Sequence, residues 1–202
     1  LSGGGERARP LPAHFLFPGE HMKTRDMAYI SISAALIALC AWLSVPAAIP
    51  FTMQTFAVFA AAGTLGARRG AAALGLYILL GALGLPVFSG FQGGVGALLG
   101  ATGGYIVGFL PAAAIAGLGA ERLGRGLPAL ILSMCAGLLV CYALGTAWYV
   151  AVYAHAGEVK SVSAVLAACV VPFIPADAAK IFLAATLSRR LAPLCAPEQR
   201  RR

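Results

Sequence analysis

The sequence predicts an all-α integral membrane protein of six transmembrane helices, on three observations. The 202-residue chain is 60% hydrophobic and 11% charged, with a mean hydropathy of +0.85, whereas a soluble domain carries about a quarter charged residues. Charge-free runs follow one another at membrane-spanning length. The basic residues then gather in alternate connecting segments.

The runs give the spans in order. No Asp, Glu, Lys or Arg lies between Asp26 and Arg68, nor from Gly70 to Ala120; each run holds two helices of roughly 20 residues. Gly126 to Gly157 is also charge-free and holds a fifth. The last apolar stretch, about residues 161–188, is interrupted only by Asp177 and Lys180. All are rich in Ala, Leu and Gly and lack the alternation of a strand barrel. Residues 44–50, with Pro46 and Pro50, part the first span from the second. Arg68, Arg69 and Gly70 part the second from the third; Pro86 and residues 89–94 part the third from the fourth. Residues 121–126 precede the fifth span and residues 156–160 the sixth.

Charge sets the orientation. Lys23 and Arg25 precede the first span, Arg68 and Arg69 follow the second, Arg122 and Arg125 the fourth, and Arg189 and Arg190 the sixth. The opposite loops carry only Lys160, beside Glu158. Positive residues stay inside, so both termini are expected in the cytoplasm. This bias and the terminal arginines account for most of the net charge of +8, and no basic stripe with interleaved aromatics suggests nucleic acid. The expected organisation is a flexible polar tail over 1–21, a six-helix substrate-binding domain over 22–191, and a basic cytoplasmic tail over 192–202. The first segment has no apolar core and does not read as a secretory signal.

Several chemistries lack their residues. There is no phosphate-binding GxxxxGK[ST] loop, and His14, His21 and His155 fall in tails or a loop without a nucleophile partner. Cys40, Cys135, Cys141, Cys169 and Cys195 show no metal-ligand spacing and read as packing residues. No enzyme activity, metal or cofactor is expected; binding or transport is.

The strongest motif is PFIPADAAK at 172–180. Ionisable groups inside a membrane face a cavity or a partner, and Asp177 and Lys180, three apart, share a helix face. Pro172 and Pro175 remove amide donors, leaving the carbonyls of Ala168 and Val171 without helical partners, as happens around polar cavities. The plain alternative is a surface ion pair with Lys180 extended to water. A proton-coupled carrier titrating at Asp177 is disfavoured by the adjacent cation and by the lack of a duplicated half.

Three further segments frame this pair. Residues 88–105 are glycine-rich and lie on the exterior side; they form either an ordinary turn or a lid, in which glycines such as Gly94 admit close backbone approach and Gln92, Thr102 and Tyr105 supply hydrogen bonds. Gly96, Gly100, Gly104, Gly108, Ala112, Ala116 and Ala120 place a small residue at every fourth position of the fourth span, a ridge for close helix packing. The first span has a comparable face, Ser31, Ala34, Ala35, Ala38 and Ala41, which packs internally or docks a separate membrane subunit. At the entry to the second span Thr52 is a candidate N-cap and Gln54 a candidate ligand contact.

Together these segments resemble the BioY family, the biotin-specific S components of energy-coupling factor (ECF) transporters. The resemblance rests on PFTMQTF at 50–56, GARRG at 66–70, LYILLGALGLPVF at 76–88, TGGY at 102–105, GTAW at 145–148 and PFIPADAAK at 172–180, in the family's order across about 22–191. Ala101 stands where the family has Pro, and Ala176 where Gly is common. The resemblance implies the ECF S-component fold and high-affinity capture of biotin in a bacterial cytoplasmic membrane. Its implied partners are a membrane coupling subunit (T component) and two cytosolic ABC-type ATPases, with a homo-oligomer open when the chain acts alone. It implies a ligand role for Asp177 and Lys180, with the ureido N–H groups on Asp177. Lys180 either donates to the ureido oxygen or balances the charge of Asp177. Tyr105, Phe91 and Trp148 are candidates to cover the ring system, and Ala34 and Ala38 to meet the coupling subunit. The alternatives are a stand-alone secondary carrier or an S component for another vitamin.

Overall fold

The computed structural model describes residues 24–46, 50–157 and 161–195. The expected N-terminal tail, Lys23, the Glu158 and Lys160 pair and the terminal arginines lie outside the described residues. Among the described residues the regular elements are helices, apart from one small two-stranded ribbon. The order is α1 (Thr24–Trp42), β1 (Ser44–Val45), β2 (Phe51–Thr52), α2 (Gln54–Leu65), α3 (Ala67–Ala82), α4 (Val95–Leu99), α5 (Gly103–Arg122), α6 (Leu127–His155), α7 (Val162–Cys169) and α8 (Ile174–Cys195). Single 3-10 turns stand at Ser89–Phe91 and Val171–Phe173. The strands pair antiparallel, Ser44 opposite Thr52 and Val45 opposite Phe51.

The helices are less uniform than the six equal spans expected. Among the described residues four units are long and apolar enough to cross a membrane: α1, α5, α6 and the stretch from α7 through α8. Helix α2 has 12 residues, about 18 Å of rise against a hydrocarbon core of about 30 Å. It needs no lipid match, because every residue in it except Phe56 is buried among α1, α3, α5 and α8. Helix α3 has 16 residues.

Small residues set the packing. Helices α5 and α6 form the most extensive pair, with Gly104 against Trp148, Gly108 against Cys141, Gly119 against Ser133, Gly137 against the Ala112 carbonyl and Gly145 against Tyr105. The expected ridge therefore operates from Gly104 onward. It does not extend to Gly96 and Gly100, because the backbone turns extended at Gly100 and α4 folds back until the Leu98 carbonyl crowds Gly103. At the other end of α5, Gly117 lies against the backbone of Gly66 and Ala67.

The final span is two helices, not one interrupted helix. Helix α7 stops at Cys169, and Val170 leaves helical geometry with φ −126°. Pro175 then falls in the first turn of α8, where a missing amide hydrogen costs nothing. The Val171 carbonyl, expected to be bare, accepts the Ile174 N–H across the 3-10 turn. Likewise Thr52 is not the N-cap of α2: Met53 holds that position, while the Thr52 hydroxyl accepts the Gln54 N–H at 3.3 Å. Helix α8 continues past Leu191 to Cys195.

One end of the bundle is tied by polar side chains. Arg69 bridges Asp26 at 3.1 Å and donates to the Cys195 carbonyl at 3.4 Å, while Arg25 reaches the Leu194 carbonyl at 2.9 Å. The Glu121 carboxylate accepts the Ala67 N–H at 2.9 Å, an anion at the N-terminus of α3 where the helix dipole favours it. Arg125 donates to the Thr64 carbonyl. The arginine-bearing ends of α1, α3, α5, α6 and α8 thus meet on one side.

The packing at Gly117 gives a stability test. A Cβ there would lie 2.4 Å from the backbone of Ala67, so Gly117→Val should lower stability by about 1–3 kcal/mol. At Gly75 an added Cβ meets nothing within 4 Å, and Gly75→Ala should hold or slightly raise stability. Thermal unfolding of the two variants in detergent checks the contrast.

Candidate ligand-binding site

A cavity of about 390 Å³ opens at the end of the bundle away from the arginines, between the ribbon, the 88–92 turn and the ends of α2, α5, α7 and α8. Asp177 and Lys180 line it, each only 4% exposed. The Lys180 ammonium donates to Asp177 Oδ1 at 2.8 Å, so the pair is a buried bridge and not a surface one. The same ammonium donates to the Thr52 carbonyl at 2.7 Å and lies 3.8 Å from the centroid of the Phe51 ring. Phe51 in turn stacks on Phe173, with centroids 5.8 Å apart and planes 12° apart. The second carboxylate oxygen, Oδ2, accepts the Tyr142 hydroxyl of α6.

Local sequence explains this placement. The 3-10 turn at Pro172 lets α8 begin at cavity depth, which puts Asp177 in the first helical turn, where the dipole stabilises an anion. One helical turn brings Lys180 onto the same face. An ammonium has three donors and a carboxylate about four acceptor positions. The directions of Lys180 are taken by Asp177, Thr52 and the Phe51 ring, a cation–π contact. Asp177 has one protein donor on each oxygen and retains acceptor capacity on both.

The other expected residues divide. Gln54, Gln92, Thr102 and Tyr105 line the cavity. The Gln54 amide donates to the Tyr77 hydroxyl at 3.1 Å, and the Tyr105 hydroxyl pairs with Thr146 at 3.2 Å. Gly94 and Trp148 do not line it. Gly94, at φ +89°, gives its N–H to the Gly81 carbonyl at 2.7 Å and anchors the loop. Trp148 is 39% exposed and its indole donates to the Gly100 carbonyl at 3.0 Å. Phe91, 64% exposed, faces away and packs on Trp42 at 5.1 Å. The aromatic that enters from this segment is Phe88, packed edge-on to Tyr77. The glycine-rich segment closes on itself through a bridge between Phe88 and Gln92 and walls the cavity with Ser89 and Gly90.

Ala34 and Ala38 are 3% and 9% exposed and belong to the chain's own core. They are therefore covered within this chain; Ser31 and Ala35 are the exposed members of that small-residue set. Tyr142, Phe51 and the Thr52 carbonyl are the partners of the buried pair that sequence reasoning missed. Phe51 and Thr52 stood inside a quoted motif, but nothing in it marks a ring as a cation platform or a carbonyl as an acceptor. Tyr142 is one tyrosine in a long apolar span, and only the approach of α6 to α8 gives it a role.

The chain matches the BioY family over residues 15–196. It is 39% identical over 171 residues to the biotin transporter BioY of Thermotoga maritima, an alignment covering 84% of this chain and 97% of that protein. It is 36% identical over 177 residues to the biotin transporter BioY of Rhodobacter capsulatus, with 83% and 93% covered. The fold is similar to the crystal structure of an S-component for biotin from an ECF-type ABC transporter. The TM-score is 0.76 at 23% sequence identity, with 86% of this chain and 94% of that one covered.

The buried pair makes a stability prediction independent of any ligand. Lys180→Met strands the Asp177 carboxylate and should cost about 3–5 kcal/mol. The double variant Asp177→Asn with Lys180→Met removes both charges and should recover part of that loss. Thermal unfolding of the purified variants measures both.

Proposed function

The chain belongs to the BioY family, and on that premise we propose that it is the biotin-capturing S component of an energy-coupling factor transporter. The observation that carries the reading is the open acceptor capacity of a buried carboxylate. Asp177 sits at the cavity wall with one donor on each oxygen and room for two more hydrogen bonds. Biotin presents two ureido N–H donors side by side, an apolar thioether ring and a carboxylate. The ureido N–H groups fall on Asp177 in charge-assisted hydrogen bonds; Tyr105, Phe109, Leu138 and Phe88 surround the ring. Of the two roles open to Lys180, balancing Asp177 fits better, because its donors are already engaged. Gln54, Gln92 and Thr102 are the remaining ligand-facing polar groups; Gly94 and Trp148 support the loops that shape the site.

In this reading residues 22–191 form the membrane domain, and α2 and α3 are the two short members of a six-span bundle. The arginine-tied end faces the cytoplasm with both termini, and the cavity faces outward in a bacterial cytoplasmic membrane. Both the charge bias of the loops and the burial of α2 support this. A T component and two ABC-type ATPases complete the transporter, and ATP hydrolysis belongs to them. The exposed Ser31 and Ala35 side of α1 suits close helix contact with the coupling subunit better than Ala34 and Ala38 do.

Equilibrium binding of tritiated biotin to the purified chain, with riboflavin and thiamine as competitors, tests the ligand. Saturable binding displaced only by biotin is expected; displacement by another vitamin would reassign it. Asp177→Asn should weaken binding by ~100-fold or more and Tyr142→Phe by roughly 10-fold, the range for hydrogen bonds to charged groups. Unchanged affinity in Asp177→Asn, with the protein folded by thermal unfolding, would remove Asp177 from the site.

A further inference from the structure

The electrostatics of the cavity bear on the opposite end of the ligand, an inference that rests on the biotin reading. Charges in this chain are sorted by position. Among the described residues, Arg25, Asp26, Arg68, Arg69, Glu121, Arg122, Arg125, Arg189 and Arg190 all lie at the ends of helices on the tied side. Among the described residues that line the cavity, only Asp177 and Lys180 are an acid and a base, and these are 2.8 Å apart. The described wall of the cavity is therefore formally neutral.

A ligand carboxylate finds no unspent cation among the described residues of the wall. If it approached Lys180 it would also approach Asp177, so attraction and repulsion would nearly cancel, and it would have to displace the Thr52 carbonyl or the Phe51 ring. Several nearby backbone amides are committed as well. Gly103 donates to the Gly100 carbonyl, Tyr105 and Ile106 to the Thr102 carbonyl, and the Gln54 N–H to the Thr52 hydroxyl. The other polar groups on the wall, Ser44, Thr55, Ser89, Gln92 and Thr102, are neutral. A carboxylate without a counter-charge stays toward water, where an amide in its place is solvated equally well.

We infer that the site recognises the ring system and not the acid, and so takes neutral amides of biotin as readily as biotin itself. The substrate class widens to ligands conjugated through the carboxyl group by an amide bond. The specificity resides at Asp177, and the valerate end is left unread.

The test is displacement of tritiated biotin from the full chain by unlabelled biotin and by biotinamide, whose amide is nearly isosteric with the acid. Dissociation constants within about 3-fold of each other are expected, since a cation on the carboxylate would favour the acid by ~10- to 100-fold. Biotin binding with biotinamide weaker by tenfold or more overturns this inference and leaves the biotin reading standing. A folded chain that binds neither overturns both.

Discussion

Two opposite charges buried against each other in an apolar bundle constrain the rest of this molecule. Neither Asp177 nor Lys180 is tolerable alone at that depth, and each recruits partners from a different element: Tyr142 from α6, the Thr52 carbonyl from the ribbon, the Phe51 ring from the same ribbon. Such a pair is weak evidence for stability, since apolar residues of similar volume often serve as well or better. Its presence in a chain that keeps every other described charge at one end points to a use for the carboxylate's remaining acceptors.

The cavity exists because several helices begin or end at one depth. Helix α2 starts at Gln54, α5 at Gly103, and α7 yields to α8 across a 3-10 turn at Pro172. Helix ends leave backbone donors and acceptors unpaired, which lipid cannot satisfy, so irregular backbone at membrane depth is confined to protein or to water-lined space. The glycine contacts between α5 and α6, and those that hold Gly63 of α2 against Ser188 and Met134, draw the helices together below this level. Tight packing beneath and helix ends above give a pocket with a solid floor.

Much of this was legible in the sequence, for physical reasons specific to each part. Charge-free runs of sufficient length mark membrane helices irrespective of how they pack, and a lone acid–base pair within such a run is conspicuous. Helix length was less legible. Nothing in residues 54–65 distinguishes a short helix shielded by protein from part of a longer one facing lipid, and the turn at Gly100 looks like one more step of a small-residue ridge. Facing was least legible. Helix α1 has small residues on more than one side, so Ala34 and Ala38 were as plausible outside as in. Trp148 and Tyr142 are two of the four aromatics in one long span, and only the placement of α8 decides that Tyr142 meets Asp177 while Trp148 braces the start of α5. A backbone acceptor such as the Thr52 carbonyl has no sequence signature at all.

The hydrogen bond from Lys180 to the Thr52 carbonyl makes the rim of the cavity and its wall a single mechanical unit. The ribbon is already held in place by a side chain of the buried pair, so its ordering entropy is met during folding and, in the proposed reading, not at ligand capture. Affinity and rim order then become linked quantities: any change that frees the ribbon raises the entropic cost of binding, even where no ligand contact is lost. A variant at Lys180 consequently reports on entrance stiffness as much as on ligand chemistry. In the proposed reading the two separate only in rates, with a loosened rim speeding ligand escape while the Asp177 carboxylate keeps its place.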